Sequence, residues 1–264
     1  MAASWQWVKF NVSLPVDSIS TQLIQAAKRL AGQADRLKFA APVAFVYNPL
    51  IYARDAHEAY LRRYGNSCKR VIFVGMNPGP FGMVQTGVPF GEIRAVREWM
   101  KIQAPIGKPP REHPKRPVEG FACKRSEVSG QRLWGLFATR CPQAAEFFAE
   151  HLVVNYCPLA FLEESGANRT PDKLPVEEKS KLFSACDEHL REVVRILQPQ
   201  WVIGVGGFAQ RCLQRVCCGD SPRIVTVLHP SPASPAANRD WAALATAALQ
   251  QAGVWAPPIT PASS

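Results

Sequence analysis

The sequence predicts an α/β fold: a central four-stranded parallel sheet with helices on both faces. Four short runs carry the prediction. Val71–Gly75, residues 152–155, Trp201–Val205 and residues 224–228 are almost continuously apolar, as strands buried on both faces are. Segments of helical periodicity separate them, and such alternation implies parallel pairing through crossover helices. The third observation is where the runs stop: at Gly75, at Asn155, before Gly206-Gly207 and at His229. In open α/β sheets ligands bind beyond the carboxyl ends of the strands, so functional side chains belong at these four places.

The elements follow in order. Residues 18–37 read as a helix with Ile19, Leu23, Ala27 and Leu30 on one face. Residues 55–64 form a weaker helix before the first strand. Residues 105–117, rich in proline and charge, read as a surface loop, and so do the polar residues 163–175. A helix over 127–137 precedes the second strand. Val176–Leu197 lines up Leu182, Cys186, Leu190, Val193 and Leu197, and another helix covers 208–217. Asn238 is placed to cap a last helix through Leu249. One domain is expected over residues 1–255, with a flexible tail at 256–264.

Composition sets the outer limits. The 264 residues suffice for one large domain, and 47% hydrophobic content excludes a disordered chain. No run approaches the roughly 18 consecutive apolar residues of a membrane span. Residues 1–11 lack the basic start and apolar core of a secretory signal. The formal charge is +10, and part of it is concentrated. Lys101, Lys108, Arg111, Lys115, Arg116, Lys124 and Arg125 outnumber Glu112 and Glu119 in one stretch. Such an excess attracts a polyanion, of which nucleic acid is the commonest. The 8 cysteines are even in number, yet chain size and the missing leader favour free thiols over disulfides. No CxxC pair occurs, and Cys217 and Cys218 read as packing residues.

Chemistry is concentrated at the strand ends. Gly75-Met76-Asn77-Pro78-Gly79-Pro80-Phe81-Gly82 is a stiff, sharply turned loop. Asn77 offers an uncharged donor and acceptor just past the strand; a plain turn is the alternative reading. Neither a Walker lysine nor a G-x-G-x-x-G spacing is present. Phe90 lies between Pro89 and Gly91, where a ring can meet a flat ligand. Asn155 ends an apolar strand and needs a partner there; its amide matches the donor–acceptor edge of uracil. His229 opens His229-Pro230-Ser231-Pro232-Ala233-Ser234-Pro235, whereas His57, His113, His151 and His189 have no comparable setting. Gly206 and Gly207 permit close approach of backbone or phosphate at a helix start.

Together these segments resemble the uracil-DNA glycosylase superfamily, and within it the single-strand-selective monofunctional branch. The likeness rests on Gly75-Met76-Asn77-Pro78-Gly79-Pro80, the flank through Gly91, Asn155-Tyr156-Cys157-Pro158-Leu159, Asn168-Arg169-Thr170-Pro171 and His229-Pro230-Ser231-Pro232. It implies a uracil-DNA glycosylase-like fold and a set of roles. Asn77 would position the attacking water, and His229 would stabilise the departing base anion. Asn155 would read the base edge, Phe90 would stack on the ring, and Met76 and Gly79 would shape the pocket. The small Gly79 would leave room beside C5, which implies action on 5-hydroxymethyluracil and related oxidised pyrimidines as well as uracil. Gly206, Gly207, Ser231, Pro232, Ala233, Ser234, Pro235 and Arg239 would contact DNA. Ala233 stands where the family commonly has a large basic wedge, which implies weaker action on duplex. The partners implied are single- and double-stranded DNA, with no membrane, no cofactor and no metal. A nuclear, monomeric enzyme of base excision repair is expected. With no lysine in the strand-end motifs, no Schiff base forms and the abasic strand stays intact. The alternatives are a mismatch-specific uracil/thymine glycosylase and a non-catalytic nucleic-acid-binding module.

Overall fold

The computed structural model describes residues 17–217, 219 and 222–256. Of the expected tail at 256–264 all but residue 256 lies outside them, as do residues 1–11 and Cys218. In chain order the elements are α1 (Ile19–Asp35), β1 (Phe45–Tyr47), α2 (Pro49–Tyr52), α3 (Arg54–Tyr64), β2 (Val71–Gly75), α4 (Met83–Thr86), α5 (Val128–Arg140), α6 (Ala144–Glu150), β3 (His151–Asn155), β4 (Ala160–Leu162), β5 (Asn168–Arg169), α7 (Val176–Leu197), β6 (Trp201–Val205), α8 (Gly207–Val216), β7 (Arg223–Val227) and α9 (Pro235–Gln251). The four apolar runs are β2, β3, β6 and β7, and they form one parallel sheet in the order β3-β2-β6-β7. From β2 the chain moves outward to β3; from β6 it moves the other way to β7. The carboxyl ends of β2 and β6 therefore flank the switch point where such sheets open a crevice.

Each face of the sheet has its own helical layer. Leu152 and Val154 of β3 face Leu23 and Ala27 of α1 and His189 and Val193 of α7. Phe73 of β2 points the opposite way, with its ring 4.9 Å from Phe137 of α5, and Phe137 stacks on Phe147 of α6 at 4.3 Å. Burial of each such ring stabilises the fold by about 1.5–3 kcal/mol. Cys157, Cys186 and Cys212 are buried in this core, and Cys217 packs against it.

A second, antiparallel sheet, β1-β4-β5, was not foreseen. Its strands of two or three residues are too short to show a period of two. Residues 163–175, expected to be a plain surface loop, contain β5 and a 3-10 turn over Pro171–Lys173. The start of α9 also differs from expectation. Ser234 is the cap, accepting from the Ala237 amide at 3.3 Å. Asn238 instead donates to the Pro232 carbonyl at 2.8 Å. The helix breaks at Asp240 (φ −162°, ψ 82°), whose carboxylate accepts from the Ala243 amide and restarts it.

The outer edge of β3 is closed by one side chain. Fully buried Tyr60 of α3 donates to the Val153 carbonyl at 2.9 Å and accepts from the Val153 amide at 3.2 Å. These are the groups an edge strand leaves unpaired. Tyr60→Phe keeps the ring and strands both, so it is expected to cost about 2 kcal/mol. Urea unfolding should show a lower midpoint at an unchanged slope; an unchanged midpoint would show that Tyr60 does not hold this edge.

Candidate active site

Backbone pairing past the end of the sheet fixes the first loop. The Tyr156 amide donates to the Gly75 carbonyl at 2.9 Å, and the Cys157 amide to that of Met76 at 2.8 Å. Asn77 follows at once. Its Nδ2 donates to the Leu159 carbonyl at 3.1 Å, which orients the amide and leaves Oδ1 as an acceptor without a partner among the described residues. Asn77, Met76, Gly79, Phe90, Glu127 and His229 all line one open cavity of about 310 Å³. Asn168 and Thr170 close it from the small sheet.

His229 arrives from β7, and Gly206 makes room for it. Gly206 has φ +91°, a conformation that favours glycine, and a Cβ there would lie 3.0 Å from the His229 Cβ. The close approach expected at Gly206 is therefore made by His229. Gly207 opens α8 beside it. The half-buried His229 ring makes no hydrogen bond to the described residues, and burial holds its pKa below the ordinary imidazole value. Burial thus favours the neutral imidazole, whose ring nitrogens have no partner among the described residues. By contrast, His151 is buried at the other end of β3, bonded to the Phe147 carbonyl and to the Trp255 indole.

Phe90 has φ +52°, costly by about 1–3 kcal/mol for a residue with a side chain. It is held there because the Trp134 indole and the Glu92 amide both donate to its carbonyl, at 3.0 and 2.7 Å. Its ring lies against Gly75, with its centroid 6.0 Å from that of His229. Asn155 also presses on Gly75. Its Nδ2 donates to the Met83 thioether at 3.2 Å, and its buried Oδ1 has no partner. Asn155 lines a smaller void of about 30 Å³ behind the cleft.

The loop after β7 is pinned from α5. Arg132 donates to the Pro230 and Ser231 carbonyls at 3.3 Å and to the Asn238 amide oxygen at 2.9 Å. Ser231 Oγ accepts from the Ala233 amide at 3.2 Å. Pro232, Ala233, Pro235 and Arg239 are exposed, with Ser231 and Ser234 half-buried. Sequence reasoning missed Arg132 and Glu127, both distant in the chain from the motifs they touch. Two arginines of the basic stretch are fixed on one ring, which the sequence did not indicate. Arg125 stacks on the Phe81 ring at 3.9 Å and Arg116 at 5.5 Å. Among the described residues neither guanidinium is in an ion pair.

Comparison with known proteins gives consistent matches. The model of the uracil DNA glycosylase superfamily matches residues 62–251. The single-strand selective monofunctional uracil DNA glycosylase of Mus musculus is 45% identical over 239 residues, covering 90% of this chain and 86% of that protein. Its Bos taurus counterpart is 44% identical, covering 90% and 88%. Among solved structures, wild-type Pedobacter heparinus SMUG2 superposes with a TM-score of 0.66 at 17% identity, covering 91% of this chain and all of that one. At that identity the likeness is one of fold.

The desolvation of His229 has a direct readout. Its ring protons, assigned by their loss in His229→Asn, are expected to titrate in NMR with a midpoint below the free value of about 6.5. A midpoint at or above it would mean that the imidazole is not sequestered.

Proposed function

This chain belongs to the uracil DNA glycosylase superfamily, and we propose that it removes uracil, 5-hydroxymethyluracil and related oxidised pyrimidines from DNA by hydrolysing the bond between base and sugar. One observation carries the reading: Asn77 after β2 and His229 after β7 line the same cleft with the Phe90 ring.

The chemistry follows from neutral groups. The base swings out of the strand, at a cost of a few kcal/mol in duplex and less in single strands. Phe90 stacks on its face, worth roughly 1–3 kcal/mol. On this reading Asn155, which lines the neighbouring void and not the cleft, turns its orphaned Oδ1 toward the imide N–H once the base is in place. His229 donates to O2, where negative charge grows as the bond to the sugar breaks, and does so in a desolvated site where such a donor counts most. Because the base departs as a stabilised anion, little basicity is needed of the nucleophile's partner. Asn77 Oδ1 is then sufficient to hold the water that attacks the sugar. Arg116 and Arg125, fixed on Phe81, supply cations for the phosphates outside.

Purified protein, with chelator present, is expected to create alkali-labile sites in oligonucleotides carrying uracil or 5-hydroxymethyluracil but not thymine. Asn77→Ala and His229→Leu should each lower the single-turnover rate by about 10²–10³-fold. Full activity in both variants would refute the assignment, and rapid release of thymine would favour a mismatch enzyme. Ala233 leads to a second expectation. Wild-type protein should act faster on single-stranded than on paired uracil, and Ala233→Arg should narrow the gap by restoring a side chain that props the duplex open. No gain on duplex would exclude the wedge as the missing part.

A further inference from the structure

Gly79 faces a side chain, and that side chain belongs to Glu127. A Cβ built on Gly79 would fall on the Glu127 carboxyl group, and one on Gly82 would lie 3.0 Å from its Cγ. The two glycines thus form a trough in which the glutamate lies, with its carboxyl at the wall of the cleft beside Asn77, Phe90 and His229. Structural duties do not explain it. Glu127 sits at the N-cap of α5, yet its side chain bonds no amide of that helix. Among the described residues it has no ion pair; neighbouring Arg125 is turned onto the Phe81 ring instead. Its one hydrogen bond is long, 3.4 Å from the Phe81 amide to Oε2. Burial pushes its pKa up, opposed by that amide. A largely desolvated carboxylate with so little satisfaction has acceptor capacity left over, and the cleft is where it is exposed.

We propose that Glu127 is a specificity-determining residue whose carboxylate faces the 5-substituent of the everted base and accepts a hydrogen bond from a hydroxyl there. The inference rests on the glycosylase reading, which puts Gly79 beside C5 of the base. On that reading, what stands beyond Gly79 is an acceptor and not only free space. A 5-hydroxymethyl group donates to it through O–H···O⁻, among the stronger hydrogen bonds proteins make. A 5-formyl group carries only an acceptor and gains no such bond. Uracil itself has nothing at that position and reports on the rest of the site.

The test is a ratio. Single-turnover efficiencies for 5-hydroxymethyluracil and 5-formyluracil, in matched single-stranded oligonucleotides at pH 8, are compared between wild type, Glu127→Gln and Gly79→Ala, with uracil run alongside. Glutamine keeps the shape but exchanges a charged acceptor for a neutral amide that also donates. It is expected to lower the hydroxymethyl-to-formyl ratio by about tenfold. Gly79→Ala should lower it too, because its Cβ displaces the carboxyl, and it reports independently if Glu127→Gln folds poorly. A ratio unchanged in both variants, while wild type still releases uracil, would overturn the role of Glu127 and leave the glycosylase reading intact. A wild type that releases no base at all would overturn both.

Discussion

The site depends on side chains that are absent. At the end of β2, Gly75 leaves the space into which both Phe90 and Asn155 press. At the end of β6, Gly206 leaves the space taken by His229. A methyl group at either place would collide with the groups that define the cleft, because packed interiors have no slack to absorb it. The parallel sheet makes this effective. Its strands are in register at their carboxyl ends, Gly75 opposite Asn155 and Val205 opposite Val227, so loops from three strands emerge at one level. The cleft exists because the backbone at two strand ends is bare and its neighbours are not.

That arrangement also decides the electrostatics. Groups brought so close are partly desolvated, and desolvation penalises charge. The cleft is accordingly built on amides, an aromatic face and an imidazole whose pKa is lowered, with Glu127 as the exception. Cations are kept to the rim. Lys108 is ion-paired with Glu112, but Arg116 and Arg125 are held on an aromatic ring with no carboxylate partner among the described residues. Stacking fixes the plane of a guanidinium while its edge donors stay free. Such groups attract phosphates without bringing charge inside, and they do so most strongly at low salt.

How much of this was legible in the sequence varies by residue. The sheet was legible because strands buried on both faces leave continuous apolar runs that little else mimics. The places of Asn77 and His229 were legible for a related reason: a polar residue ending such a run has few structural uses. The small sheet left no pattern, since its two- and three-residue strands are shorter than the period that would reveal them. Glu127 and Arg132 were hidden by their surroundings. Each lies at or in α5, in a stretch that reads as a helix with ordinary surface charge, and only the crossing of α5 over the loops after β2 and β7 gives them a role. For α9 the expected cap, Asn238, is engaged by its own bond to Pro232, and Ser234 caps the helix instead.

The division between a stiff interior and a sparse rim bears on which form of DNA the molecule suits. The loop after β7 is held by the Arg132 guanidinium, which donates to its carbonyls, and by its own turn, so it is a rigid platform. Yet the residue it exposes at its tip is Ala233, which has nothing to insert between base pairs. A duplex must be opened by something, and opening costs a few kcal/mol that a protein recovers only through added contacts. A single strand asks for no such work: it needs cations for its backbone and flat surfaces for its bases. Arg116, Arg125 and Phe81 at the edge, with Phe90 inside, are parts of that kind. On the proposed reading, preference for a single strand follows from the cost of opening a duplex rather than from any feature that reads single-strandedness itself.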